Sequence, residues 1–144
     1  MEFVRISEKY GIYELLTEFS KVFPHLSEKV SNLEDYAEKL SKSAFVYVAQ
    51  EGVENAGILV FYANNLQDKV AYISLIGIKK KYQHRGLGKA ILDHCVVLSR
   101  QSGMNIVRLE VDADNFRAIE FYKKNGFGFV EETERKSFYM MKNI

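Results

Sequence analysis

Ile73-Ser74-Leu75-Ile76-Gly77-Ile78-Lys79-Lys80-Lys81-Tyr82-Gln83-His84-Arg85-Gly86-Leu87-Gly88-Lys89, running on through Ala90 to Leu98, decides how this chain is read. An apolar, β-branched run gives way to a basic segment with two glycines. Leu87, Ala90, Ile91, His94, Cys95 and Leu98 then recur near helical spacing. The pattern is strand, loop, helix. The start of a helix leaves backbone N–H groups without intrahelical partners and carries a positive partial charge, and glycines there let a phosphate approach bare backbone. The expected ligand is a phosphorylated cofactor.

Two common phosphate loops are excluded by particular residues. A P-loop requires Gly-x-x-x-x-Gly-Lys-Ser/Thr, but Ala90 follows Gly88-Lys89 and Gln83 stands where the first glycine belongs. A dinucleotide fingerprint requires a third glycine where this chain has Ile91, and it opens the first strand-helix unit of a domain rather than lying mid-chain. What remains is Gln83-x-x-Gly86-x-Gly88 after a strand.

Outward from this stretch, the chain is an ordinary globular sequence. Its 144 residues suit a single domain, 1–144, and 47% hydrophobic with 27% charged residues is enough for a core. A net charge of +1 gives no general attraction for nucleic acid or membrane. No run of about 20 apolar residues is present, and Met1-Glu2-Phe3-Val4-Arg5 does not open like a signal peptide. The expectation is a soluble cytoplasmic protein with neither nucleic-acid nor membrane partners. The single Cys95 excludes an intrachain disulfide, and three scattered histidines without neighbouring ligands predict no metal site.

The spacing predicts a first strand over Phe3–Ile6 and a helix over Tyr10–Phe23, ended by Pro24. Ser31-x-x-Glu34 reads as a capping box opening a second helix, Leu33–Leu40. Strands follow over Ala44–Gln50 and Gly57–Tyr62, with turn residues at Glu51-Gly52 and Asn64-Asn65, and the fourth strand ends at Ile78. After the central helix come a half-buried strand, Asn105–Val111, and a helix, Asn115–Asn125, stopped by Gly126 with Phe127 folding back. Two final strands span Phe129–Thr133 and Ser137–Lys142.

This order, with its loop, resembles the GNAT family of N-acetyltransferases. The Gln83-x-x-Gly86-x-Gly88 loop is similar to the family's pyrophosphate loop, and a second match lies downstream: Leu109-Glu110-Val111-Asp112-Ala113-Asp114-Asn115, Ala118-Ile119, Phe121-Tyr122 and Asn125-Gly126-Phe127. The resemblance runs from Ala44 to the end of the sequence; the first forty residues match in element order only. It implies an α+β GNAT acyl-CoA N-acyltransferase fold with a mixed, mostly antiparallel sheet of about seven strands flanked by four helices. It also implies acetyl-CoA as cosubstrate.

The resemblance assigns the pyrophosphate to the backbone of Gln83, His84, Arg85, Gly86, Leu87, Gly88 and Lys89, with charge from Arg85 and Lys89. It assigns the pantetheine arm to the edge of the fourth strand at Ile76, Gly77 and Ile78, with an oxyanion donor near Ile76. Asn115 corresponds to an asparagine that contacts the cofactor; its other reading is an N-cap, a role open also to Asp114. Tyr122 is the candidate catalytic acid: a phenol of pKa near 10 is protonated at pH 7 and can donate to a thiolate. Its other reading is an aromatic core residue.

The base is the less defined partner. A lysine-like amine is free in only about one molecule in a few thousand at pH 7. Glu110, twelve residues before Tyr122, resembles the glutamate of the branch that acetylates ribosomal-protein N-termini, although Asp112 stands where that branch carries arginine. Its other reading is a solvated strand residue. Tyr72 and Ser74 are further candidates for a proton relay through water. Cys95, inside an amphipathic helix, reads as buried and inert, so direct transfer is expected. His84 should decorate the loop, His94 a helix edge, and His25 solvent.

Acceptor recognition is expected from Phe23–Asn32 and from the region near Tyr139. The leading expectation is acetyl transfer to a primary amine, a small molecule or amino sugar. Transfer to a protein N-terminus or lysine, a non-catalytic CoA-binding module, and a nucleic-acid-binding domain built on the loop cations are the alternatives. Exposed edges of the last strands would allow a homodimer.

Overall fold

A computed structural model describes residues 1–24, 26 and 30–144. Seven strands and four helices follow one another among these residues: β1 (Glu2–Arg5), α1 (Lys9–Glu18), α2 (Leu33–Ser43), β2 (Phe45–Glu51), β3 (Glu54–Asn65), β4 (Val70–Ile78), a short 3-10 turn (Lys80–Tyr82), α3 (Leu87–Gln101), β5 (Ile106–Asp112), α4 (Phe116–Lys124), β6 (Gly128–Glu132) and β7 (Ser137–Asn143). None of the described helices is long and apolar enough to cross a membrane.

The strands form one sheet in the order β1-β2-β3-β4-β5-β7-β6. Every neighbouring pair is antiparallel except β4 and β5, which are parallel. A parallel pair needs a crossover, and α3 supplies it. On one face α1 and α2 bury Ile12, Leu16, Phe19 and Leu40 against Val46, Val48, Ile58 and Val60. On the other, α3 and α4 bury Ile91, Cys95, Ile119 and Tyr122 against Leu59, Phe61, Leu109 and Met140. β3 is covered on both sides, which is why Ala56 and Ile58 through Phe61 are all buried in an unbroken apolar run.

Several local expectations need correction. α2 is capped by Asn32, whose Oδ1 accepts from the Asp35 N–H at 3.0 Å, and not by Ser31; the helix continues to Ser43. α1 stops at Glu18, well before Pro24. The chain's last strand is not an edge: β7 lies between β5 and β6, leaving β1 and β6 at the margins. The end of α4 is as expected. Gly126 at φ 92° lets Gly126 N–H reach Lys123 O at 3.1 Å and Phe127 N–H reach Tyr122 O at 3.0 Å, the two bonds of a Schellman motif.

One irregularity positions everything that follows. β4 and β5 share only four rungs, Val70↔Ile106 to Ile73↔Leu109, and then part. At that point β4 also slips against β3: Phe61 faces Ile73 while Val60 faces Leu75, so Ser74 is one residue too many. Regular alternation would put Ile73 and Leu75 on the same face. The bulge instead puts Ile73 in the core beneath α3 and α4, and Leu75 in the core beneath α1 and α2.

Candidate active site

Beyond the bulge, Ile76, Gly77 and Ile78 remain paired to β3 on one side, while their other edge no longer faces β5. The open edge and the loop after it form the walls of a cleft of about 700 Å³. The loop is anchored before it turns: Tyr82 is buried and donates its hydroxyl to Glu54, and the Gln83 amide donates back to Ile78 O at 3.0 Å. His84 (φ 65°) and Gly86 (φ 79°) are both left-handed, and Gly86 starts α3 with no side chain capping the helix. The first-turn N–H groups of α3 are therefore left for a ligand.

The facing wall is α4. Arg117, Ala118, Phe121 and Tyr122 line the same cleft as Gln83, His84, Gly86, Leu87 and Gly88. A side chain at Gly88 would bring its Cβ to 2.9 Å from the Phe121 ring, so this glycine permits the close approach of α3 to α4. Arg117 Nη2 lies 3.4 Å from His84 Nε2, and its guanidinium with Lys124 outweighs Glu120 to leave this wall with one net positive charge. Arg117 was not foreseen from the sequence. Its signal is the stripe of positions 117, 118, 121 and 122, a helical spacing that places the arginine beside Tyr122.

Tyr122 is at once core and lining: its ring is 8% exposed, packs edge-on to Phe127 at 5.7 Å, and burial pushes its phenol up to about 12. Two of the expected loop cations turn elsewhere. Arg85 lies over the Tyr82 ring at 5.7 Å, and Lys89 pairs with Asp93 at 2.8 Å; neither lines the cleft. Asn115 is also apart from it. Its Oδ1 caps α4 by accepting from Ala118 N–H at 3.3 Å, and the residue lines a second cleft.

That second cleft, about 560 Å³, lies on the face of the sheet that carries α1, between Val22, Phe23 and Leu75 on one side and Asp112, Asp114 and Asn115 on the other. Glu110 is on this face too, opposite Tyr139. Its side chain is 17% exposed, and its carboxylate accepts from Arg135 at 3.0 Å and from the Ser137 hydroxyl. Tyr72 lies near Glu110, and burial first, then that carboxylate, push its phenol up to about 12. Ser74, at the bulge, is 2.9 Å from the Tyr36 hydroxyl.

Cys95 is fully buried, with its thiol pushed up to about 12, so it remains protonated and is no nucleophile. His94 is half-buried at the margin of α3's covered face, as expected, where it stacks on Phe3 at 4.1 Å and meets Tyr47 edge-on at 4.8 Å. His25 lies outside the described residues, as do positions 27–29 of the segment expected to recognise the acceptor.

A sequence model of the acetyltransferase (GNAT) family matches residues 9–127. The ribosomal protein bS18-alanine N-acetyltransferase of Escherichia coli is 30% identical over 93 residues, which is 65% of this chain and 62% of that relative, so the match spans less than two thirds of the curated protein. Among solved structures, the IAA acetyltransferase from Bacillus cereus superposes with a TM-score of 0.78 at 19% identity, covering 99% of both chains. The PaiA N-acetyltransferase from Thermoplasma acidophilum, solved in complex with coenzyme A, superposes with a TM-score of 0.73 at 20% identity over 100% of both chains. With the family match spanning most of its length, this chain belongs to the acetyltransferase (GNAT) family.

Proposed function

We propose that this protein is an acetyl-CoA-dependent N-acetyltransferase that passes the acetyl group directly to a primary amine. The observation that carries this reading is the convergence, in one cleft, of an unpaired strand edge, an uncapped helix start and a buried tyrosine. Acetyl-CoA would supply an activated acetyl group and a thiol leaving group. The parts it presents fit the walls: phosphates for the N–H groups of Gly86 to Gly88 and the cations Arg117 and Lys124, and a peptide-like arm for the edge at Ile76 to Ile78.

In this reading a backbone N–H near Ile76 polarises the carbonyl. The amine enters from the second cleft, and its nitrogen bonds to the acetyl carbon as the carbon–sulfur bond breaks. Tyr122, protonated at any physiological pH, gives its proton to the leaving sulfur. Glu110 takes the amine proton through water from the opposite face of the sheet, and Arg135 and Ser137 hold its carboxylate in place. Tyr122 is supported by the family resemblance and by its place in the cofactor cleft, and Glu110 by its position on the acceptor face.

A small-molecule acceptor is supported by the second cleft, whose 560 Å³ falls within the usual range of about 300–1,000 Å³ for small-ligand pockets. The test is calorimetric titration with acetyl-CoA, followed by thiol release over a panel of small amines and peptide N-termini. Micromolar binding with release on a small amine is the expected result. Release only on a peptide would move the acceptor to a protein terminus, and absence of binding would overturn the transferase.

A further inference from the structure

We propose that Asp112 and Asp114 select an acceptor that carries a second positive charge beside its reacting amine. This rests on the transferase reading above and names its substrate class.

The two clefts meet at consecutive residues of β4. Leu75 lines the acceptor side and Ile76 the cofactor side, because successive residues of a strand point to opposite faces and the bulge at Ser74 has set which of the two faces each takes. An acceptor in the second cleft therefore lies with Leu75, Val22 and Phe23 along one flank. That flank is fixed: a Cβ on Gly77 would come within 2.6 Å of both Val22 and Phe23, so the segment is packed directly on the strand. The opposite wall carries Asp112 and Asp114, the only charged residues that line the cleft among the described residues.

Nothing among the described residues neutralises these carboxylates. The arginines on this face are engaged elsewhere, Arg135 by Glu110 at 3.0 Å and Arg108 by Glu131 at 3.3 Å and by the Tyr139 ring at 4.4 Å. Among the described residues the cleft thus pairs an apolar flank with two negative charges that no cation offsets.

The charge cannot serve the reacting nitrogen itself. An amine attacks only when deprotonated, and a carboxylate beside an ammonium favours the protonated form. The pair instead fits a second, non-reacting cation, with an apolar linker along Leu75 and Phe23 directing the free amine toward Ile76. An anionic group near the amine, as in a free amino acid, would be repelled. The chemistry that fits is a diamine with an aliphatic spacer.

The decisive comparison uses the whole chain with acetyl-CoA and three amines of equal length: cadaverine, pentylamine and aminovalerate. Two exposed charge contacts should give cadaverine about a five- to tenfold advantage in kcat/KM over pentylamine, with aminovalerate poorest. In the Asp112→Asn, Asp114→Asn double variant the cadaverine-to-pentylamine ratio should fall toward one, with acetyl-CoA calorimetry on the same preparations reporting folding. A ratio near one in the unmodified protein, or one that survives the substitutions, overturns the acceptor inference while leaving the transferase intact. If acetyl-CoA binds but no amine turns over, calorimetry of cadaverine and pentylamine against the CoA-loaded protein reads the same ratio, and equal binding overturns the inference. Failure to bind acetyl-CoA overturns the transferase reading itself, and the acceptor inference with it.

Discussion

The Tyr36 hydroxyl lies 2.9 Å from Ser74 Oγ, and Ser74 is the residue that β4 inserts as it leaves β5. A helix that covers one face of the sheet is thus fastened to the irregularity that opens the sheet. Tyr36→Phe removes the fastening without changing the ring, and should lower stability by about 1 kcal/mol, the usual net value of one such hydrogen bond. Denaturant unfolding reads this directly. Because the bulge sets the edge at Ile76, acetyl-CoA affinity should fall severalfold as well; unchanged affinity would mean that the parting of β4 and β5 holds the edge by itself.

Tyr122 is the sharpest test of the proposed chemistry. Tyr122→Phe keeps the packing against Phe127 and removes one proton donor. Turnover should fall by about ten- to a thousandfold, the ordinary range for a single general acid, with little change in acetyl-CoA affinity. Full activity in the variant would leave Tyr122 a core residue only. Steady-state kinetics paired with calorimetry separate the two.

Gly86→Val tests the loop, though for a different reason than the sequence suggests. Read from the sequence, a side chain here would obstruct a phosphate. In the structure a Cβ built at Gly86 meets no protein atom within 4 Å, but φ is +79°, a conformation that a β-branched residue avoids. The expected cost is about 1–2 kcal/mol of strain, or a loop that relaxes and loses its aligned N–H groups. Acetyl-CoA affinity should drop about tenfold or more in Gly86→Val and much less in Gly86→Asn, since asparagine tolerates left-handed backbone. Equal losses in the two variants would restore the obstruction argument.

What the sequence disclosed and what it hid divide along physical lines. Helix α3 and its loop were legible because a 3.6-residue period and two glycines are local signals, as was the Schellman ending of α4 at Gly126. The bulge at Ser74 was not, because it is defined by which β3 residues Ile73 and Leu75 face, a long-range pairing. The same holds for β7 lying between β5 and β6. Of the candidate site residues, Gln83, His84, Gly86 and Tyr122 share one cleft, whereas Arg85, Lys89 and Asn115 do not. Side-chain direction on a basic loop has no periodicity to read, and the cation that does face the cleft, Arg117, comes from a different element.

His94 gives the fold an acid limit. Its Nε2 is buried without a hydrogen-bond partner among the described residues, between Phe3 and Tyr47, and burial lowers its pKa from the ordinary 6.5. The unfolded chain therefore takes up the proton first as pH falls. Above about 6.5 the imidazole is neutral in both states and the stability is fully present; below it, stability is lost progressively as pH falls toward the depressed folded value. His94→Phe preserves a ring for stacking on Phe3 and carries no titratable nitrogen. Thermal unfolding followed from pH 8 to pH 5 should show the variant losing less stability than the parent below about 6.5, with the two curves parallel above it. Parallel curves over the whole range would place the acid sensitivity in the carboxylates, because a histidine buried neutral is the group whose removal must flatten this limb and no other.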